Sequence, residues 1–309
     1  MSNRSSENLL ISGASGFIGR HLVRSLVNHG SSCIRLTRDK AASVENSIYI
    51  NEIKDNNIDV VVHLAARAHV LNGGKHEPLS DLIKANSDFT VSVAYEAAAA
   101  GARRFIFLST VGVNGVCNKS PFTYLDKPSP VEPYAFSKFE AERRLKAIAK
   151  ETGMEVVIIR PPLVYGPNAP GNFGKLIKLA KKNLPLPFGA IDNKRSLVAI
   201  DNLIDLIVTC IEHPNAANQT FLVSDGHDVS TTDLLKMLTR AAGHKPRLLP
   251  VSVSWLRFAA KLIGKQAVID RLCGNLEVDI THTKETLNWR PPISLDEGIK
   301  RCFIEEELC

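Results

Sequence analysis

Short apolar runs alternate with helix-period segments through the first 160 residues of the chain. Leu9-Leu10-Ile11 reads as a buried strand, and apolar positions at helical spacing follow over 17–27, closed by Gly30. Residues 33–37 and 59–66 predict a second and a third strand, and the segment 79–100 predicts a helix ended by Gly101. A strand over 105–108 comes next, then a helix with Pro133 near its start that stops at Gly153. Another strand over 156–159 ends at Arg160-Pro161-Pro162. Strands alternating with helices imply right-handed crossovers and a parallel sheet with helices on both faces. The predicted class is α/β, a doubly wound parallel sheet.

Beyond Pro162 the pattern shortens. Prolines fall at 161, 162, 167, 170, 185 and 187, with a helix over 173–182, a strand over 196–200 and a helix over 201–212. A strand over 221–223 follows, and Ser230-Thr231-Thr232-Asp233 is a capping sequence for a helix to about 242. The expected division is a dinucleotide-sized unit, 1–165, and a smaller, mostly helical lobe, 166–309, with some of its segments returning to the sheet. The cleft between them is the default ligand site.

Composition narrows the function. The 309 residues are 44% apolar and 23% charged, which is ordinary for a globular chain. The net charge of +6 is spread out, with no run of five Lys/Arg. It suits anionic small molecules and gives no footprint for nucleic acid. No 18-residue apolar window exists and residues 1–8 are polar, so neither membrane insertion nor a signal peptide is expected, and a cytoplasmic location follows. Six dispersed cysteines without C-x-x-C read as reduced thiols, and nine histidines without a ligand spacing assign no metal.

Three features carry chemistry. Gly13-Ala14-Ser15-Gly16-Phe17-Ile18-Gly19 lies between the first strand and the first helix. There, glycines allow a tight turn and a close approach of backbone N–H groups to a pyrophosphate at a helix N-terminus. The spacing is G-x-x-G-x-x-G rather than the commoner G-x-G-x-x-G. Tyr134 and Lys138, four apart at a helix start, share one helical face. An ammonium and an oxidised nicotinamide both favour phenolate, so the Tyr134 pKa is expected to fall and let it exchange a proton with a sugar oxygen. Thr110 ends the strand over 105–108, where a hydroxyl can orient the reacting oxygen.

Taken together and in this order, these features resemble the extended short-chain dehydrogenase/reductases, specifically the nucleotide-sugar epimerase/dehydratase group with its Rossmann domain. The resemblance implies that Thr110, Tyr134 and Lys138 are catalytic. It implies that His63-Leu64-Ala65-Ala66 passes beneath the cofactor, that Asn86 is a structural or cofactor-side residue, and that Arg160-Pro161 begins the segment closing over the nicotinamide. It places Asn172, Arg195 and, less directly, Arg271 on the substrate diphosphate. It reads Leu287-Asn288-Trp289 with Pro291-Pro292 as the family's C-terminal ending.

Two departures matter. Thr110 is followed by Val111-Gly112, where dehydratases of the group carry Asp-Glu, which argues against loss of water. The group's Val-Tyr-Gly reads Val113-Asn114-Gly115 here. The chain most resembles the UDP-glucose 4-epimerase-like subgroup of surface-polysaccharide and O-antigen synthesis, some of whose members reduce 4-keto sugars.

The expected activity is hydride transfer at C4 of a UDP-sugar. Reduction of a UDP-4-keto-6-deoxy-N-acetylhexosamine is preferred, with 4-epimerisation of UDP-glucose or UDP-N-acetylglucosamine as the alternative. A non-catalytic NADP-binding regulator is more remote. The preference rests on the end of the second strand. Thr37 stands where NAD-specific members carry an acid, and Arg38 follows it, which favours NADP(H) over NAD(H), although Asp39 also suits the spacing of a ribose-binding acid. A homodimer through the helices over 77–100 and 134–150 is a further family expectation.

Overall fold

The computed structural model describes residues 7–37, 46–67 and 77–304. Arg38, which with Thr37 carried the cofactor preference, and Asp39, which counted against it, lie outside the described residues. The strands are β1 (Leu9–Ser12), β2 (Cys33–Leu36), β3 (Ser47–Ile48), β4 (Val60–His63), β5 (Arg104–Leu108), β6 (Glu155–Arg160), β7 (Leu163–Tyr165), β8 (Leu197–Ala199) and β9 (Thr220–Leu222). The helices of the first part are α1 (Phe17–Asn28), α2 (Leu79–Ile83), α3 (Phe89–Ala99) and α4 (Pro133–Thr152). Those of the second are α5 (Gly171–Lys182), α6 (Ile200–Glu212), α7 (Thr231–Ala241), α8 (Val253–Leu262), α9 (Gln266–Cys273), α10 (Thr281–Leu287) and α11 (Leu295–Arg301).

Among the described residues, seven strands form one parallel sheet in the order β3-β2-β1-β4-β5-β6-β9. The direction of strand addition reverses between β1 and β4, so the crevice outside their carboxyl ends is where such a sheet binds ligands. Each central strand reads as an unbroken apolar run because both of its faces are covered. Leu9, Ile11, Val60, Val62, Ile106 and Ile159 pack under α1 and α6. Their neighbours Leu10, Val61, Phe105, Phe107 and Ile158 pack under α3 and α4. The fully buried Arg104 runs against that pattern. Its guanidinium donates to the carbonyls of Cys210, Ile211 and His213 at the end of α6, where a helix leaves acceptors unpaired.

The predicted elements appear within a few residues of their expected ends, and Gly153, at φ +77°, stops α4 as foreseen. β3 was not foreseen. It has two residues and sits at the sheet edge, too short to leave an alternating pattern. The return to the sheet is made by β9, which pairs with β6, and by α6, which joins the core above β1. The rest of the second part packs α5, α7, α11 and β8 around Phe173, Leu238 and Ile299.

Candidate active site

The glycine loop is built by contact. Gly13 is at φ +70°, and a Cβ there would lie 2.7 Å from the Ala65 nitrogen. A Cβ on Gly19 would lie 2.2 Å from the Gly13 carbonyl oxygen. Both positions therefore exclude any side chain, and the loop rests directly on Leu64-Ala65. Gly16 is the N-cap of α1, with no side-chain cap and no acid in the first turn, so the helix presents its leading N–H groups and partial positive charge outward. Ser15, Gly16 and Ala66 are exposed, whereas Phe17, Ile18, Leu64 and Ala65 are half-buried along the same edge.

Beneath this loop His63 is fully buried. Its Nδ1 lies 2.9 Å from Ser12 Oγ and its Nε2 lies 3.0 Å from Thr90 Oγ1. Thr90 donates its hydroxyl hydrogen to the Asn86 carbonyl at 2.6 Å. Thr90 Oγ1 must then accept, so Nε2 carries the proton and Nδ1 accepts from Ser12. Burial, with a smaller contribution from the Lys138 charge, lowers the His63 pKa to about 3, which keeps the ring neutral. His63 is a structural post.

Of the two roles expected for Asn86, structural or cofactor-side, its contacts within the protein are of the structural kind. It sits in a π-turn, Lys84–Asp88, that joins α2 to α3. Its Oδ1 accepts from the Arg67 N–H at 2.7 Å, and its Nδ2 donates to the Arg67 carbonyl at 3.1 Å and to Ser137 Oγ at 3.0 Å. The amide is thereby used up in fastening the segment after β4 to α4. π-turns concentrate at functional sites because they re-aim one side chain, and here that side chain is a clamp.

Thr110, Tyr134 and Lys138 come from the carboxyl end of β5 and the first turns of α4. Thr110 Oγ1 accepts from the Gly112 N–H at 3.1 Å, so its own hydrogen remains a donor for another oxygen. Lys138 is fully buried, its Nζ is without a hydrogen-bond partner, and it stands 4.3 Å from the centre of the Phe107 ring. Burial lowers its pKa to about 7, against a smaller opposing effect of Glu142. Burial also pushes the Tyr134 phenol up to about 12. The expected fall counted an oxidised nicotinamide beside the ammonium; the protein alone supplies the opposing effect of burial. Pro161 is buried, and its carbonyl accepts from the Val111 N–H at 2.9 Å.

One part of the site escaped the sequence reading. Glu142, one turn beyond Lys138, is buried and receives Arg160 through Nε at 2.9 Å and Nη2 at 2.5 Å. The same carboxylate accepts from Ser109 Oγ at 2.5 Å, and Arg160 Nη1 donates to Asn114 Oδ1 at 3.0 Å. Ser109 is therefore committed inward while its neighbour Thr110 is half-buried and keeps a donor. Asn114, at the departed tyrosine position, is part of this support. The signal was present in the spacing 134, 138, 142, which puts all three side chains on one helical stripe. Val111 and Val113 are buried, so no acid–base pair of the dehydratase kind stands after Thr110.

In the second part of the chain the predicted anion contacts are dispersed. Arg195 is half-buried, and its Nη1 donates to the carbonyls of Arg271 at 2.7 Å and Gly274 at 3.1 Å, at the end of α9. Arg271 is exposed and ion-paired with Glu132, the N-cap of α4. These contacts bring Arg195 and Arg271 toward the Tyr134 end of α4. Asn172, in the first turn of α5, is exposed and not among these contacts. The segment from Asn114 to Glu132 is tied to the second lobe by Asn118 and Phe122, both bonded to Glu277, and by Tyr124 stacked on His282 at 3.6 Å. A cavity of about 740 Å³ lies elsewhere, between α1 and α6, and contains none of Thr110, Tyr134 or Lys138.

The residues fit a dinucleotide. The glycine cradle would be filled by any Cβ, the α1 N-terminus is uncapped, and a buried Lys138 ammonium lacks an acceptor that a ribose hydroxyl would supply. The sequence profile of the NAD-dependent epimerase/dehydratase family matches residues 9–224. The chain belongs to that family. A UDP-glucose 4-epimerase from Vibrio cholerae is 45% identical over 308 residues, covering 96% of this chain and 94% of its own. A dTDP-4-dehydro-6-deoxyglucose reductase from Escherichia coli is 25% identical, covering 95% of each chain. The solved UDP-glucose 4-epimerase of Thermotoga maritima, with UDP-glucose, superposes with a TM-score of 0.75 at 24% identity, covering 96% of this chain and 97% of its own. The protein is thus an enzyme of the NAD-dependent epimerase/dehydratase family, with a fold shared by that solved structure.

Proposed function

We propose that this enzyme is a 4-epimerase of a UDP-hexose or UDP-N-acetylhexosamine, working with NAD in the cytoplasm. The observation that carries this reading is the near-full-length, 45% identity to the Vibrio cholerae epimerase. It favours the epimerase alternative over the reductase preferred from Thr37 and Arg38. The cofactor reading moves with it, because an enzyme that returns its hydride in every cycle has no need of an exchangeable NADPH.

Bound NAD supplies the acceptor and donor of the C4 hydride. Thr110 donates its hydroxyl hydrogen to the C4 oxygen and fixes its position. Tyr134 Oη takes the proton of the C4 hydroxyl during oxidation and returns it during reduction from the other face. Lys138, held one turn below, holds the ribose and, once charged, favours the phenolate. Glu142 and Arg160 keep this stripe of α4 seated against the end of β5. Arg195, with Arg271 beside it, supplies charge for the diphosphate, the outer edge of its planar fork being suited to two phosphate oxygens.

The test is incubation with UDP-N-acetylglucosamine and with UDP-glucose, without added reductant, and product analysis by NMR. The reading expects the C4 epimer from at least one of them. The reductase reading, supported by the Escherichia coli relative, expects no epimer and NADPH-dependent consumption of a UDP-4-keto-6-deoxy sugar.

A further inference from the structure

The helical hairpin of α8 and α9 carries apolar side chains on both of its faces. Leu256 and Ala260 of α8 are buried against the lobe. On the opposite face Trp255, Phe258 and Leu262, spaced i, i+3 and i+7, are 67%, 56% and 73% exposed, and Ile263 and Val268 continue the surface into the turn and α9. Trp255 and Phe258 meet edge to face, with ring centres 5.9 Å apart, so the two rings form one contiguous apolar surface. A helix apolar on both sides is covered on both sides, and this patch has no cover within the described residues.

The charge along this part of the chain is predominantly basic. Between Gly243 and Ile269 the chain has five basic residues, Lys245, Arg247, Arg257, Lys261 and Lys265, and no Asp or Glu. This short stretch holds nearly all of the chain's net charge of +6. Arg257 pairs with Asp270; Lys261 and Lys265, at the end of α8 and the turn that follows, are exposed beside the apolar face, and Lys245 and Arg247 are exposed just before α8. A second copy seated here by a two-fold axis would bring the two basic stretches together, which costs energy. An anionic surface that accepts aromatic and aliphatic side chains meets both requirements at once.

We propose that the α8–α9 face docks the enzyme peripherally on an anionic lipid bilayer. Trp255, Phe258, Leu262 and Ile263 enter the headgroup boundary while Lys261 and Lys265 meet acidic headgroups. The inference goes beyond the epimerase reading and does not depend on it, since Trp255, Phe258, Leu262, Ile263, Lys261 and Lys265 are not among the residues assigned to the UDP-sugar. α9 links the face to the cleft, because its terminal carbonyls hold Arg195.

The experiment uses the full chain and vesicles of phosphatidylcholine, with or without about 30% phosphatidylglycerol. Co-sedimentation measures binding, and tryptophan emission reports the environment. Of the two tryptophans, Trp289 is buried and bonded to Asp205, so a shift on adding vesicles belongs to Trp255. The expected result is binding to the anionic vesicles with a blue shift, weaker binding to phosphatidylcholine alone, and loss of binding at high salt. Trp255→Ser with Phe258→Ser abolishes binding, Lys261→Glu with Lys265→Glu weakens it about tenfold or more, and both pairs keep wild-type turnover and melting temperature. Absence of wild-type binding to anionic vesicles overturns the proposal. So does a concentration-dependent dimer that Trp255→Ser with Phe258→Ser dissolves, since the face is then a contact between copies.

Discussion

Lys138→Met is expected to make the protein more stable and nearly inactive. Lys138 is buried with its Nζ unpartnered, and burial takes its pKa from 10.5 to about 7. At about 1.4 kcal/mol per pKa unit, the charged form costs on the order of 4–5 kcal/mol relative to the unfolded chain. The Phe107 ring beneath Nζ returns about 1–2 kcal/mol, so the net cost is about 3 kcal/mol. The folded pKa lies below the unfolded one. The cost is therefore fully present below about pH 7, and it declines as pH rises toward about 10, where the unfolded chain also gives up its proton. Methionine matches the reach of lysine without the charge. Unfolding entropy for a 309-residue chain is about 0.65 kcal/mol per degree, so the gain corresponds to about 4–5 °C. Calorimetry of dinucleotide-stripped wild type and variant should show that gap at about pH 6 and only 1–2 °C at about pH 9.5. A variant that melts at or below wild type at the lower pH, or a gap that ignores pH, refutes the reasoning.

Tyr134→Phe should keep the wild-type melting temperature and dinucleotide affinity while kcat falls about 10²–10⁴-fold; activity within a few-fold of wild type removes Tyr134 as the acid–base. Glu142→Gln leaves Arg160 as a buried, half-paired charge, which costs about 3–5 kcal/mol and lowers Tm by about 5–8 °C in a thermal melt. Glu142→Leu with Arg160→Met should regain most of that loss, and failure to do so means the pair is needed for more than mutual neutralisation. Arg195→Ala should raise KM for the UDP-sugar at least about tenfold with the dinucleotide Kd unchanged; an unchanged KM takes Arg195 out of the site.

The order of strands and helices was legible because β1, β4, β5 and β6 are continuous apolar runs covered on both faces, and because glycines end α1, α3 and α4. The glycine loop and the Thr110, Tyr134 and Lys138 set were legible from residue type and spacing. What was not legible depended on burial or on a local break in helix geometry. The segment 79–100 reads as uniform helix, so the π-turn that turns Asn86 into a clamp left no trace in the pattern. Counting charges on Tyr134 left out burial, which in the protein alone raises its pKa. Ser109 and Thr110 look equivalent in sequence, yet β5 turns one toward Glu142 and leaves the other a free donor. The preference for a reductase leaned on two adjacent residues, Thr37 and Arg38, and similarity along nearly the whole chain outweighs them. The apolar outer face of α8 hid inside an ordinary amphipathic helix pattern until its inner face was placed.

The most direct test of the epimerase account follows the hydrogen at C4. UDP-N-acetylglucosamine and UDP-glucose carrying deuterium at C4 are incubated with the purified enzyme and no added reductant, and substrate and product are read by NMR. The account predicts a C4 epimer that retains the deuterium, with no uptake of solvent hydrogen at that carbon and no net change in bound NAD. Deuterium lost to solvent, or turnover seen only with a 4-keto sugar and stoichiometric NADPH, would contradict it.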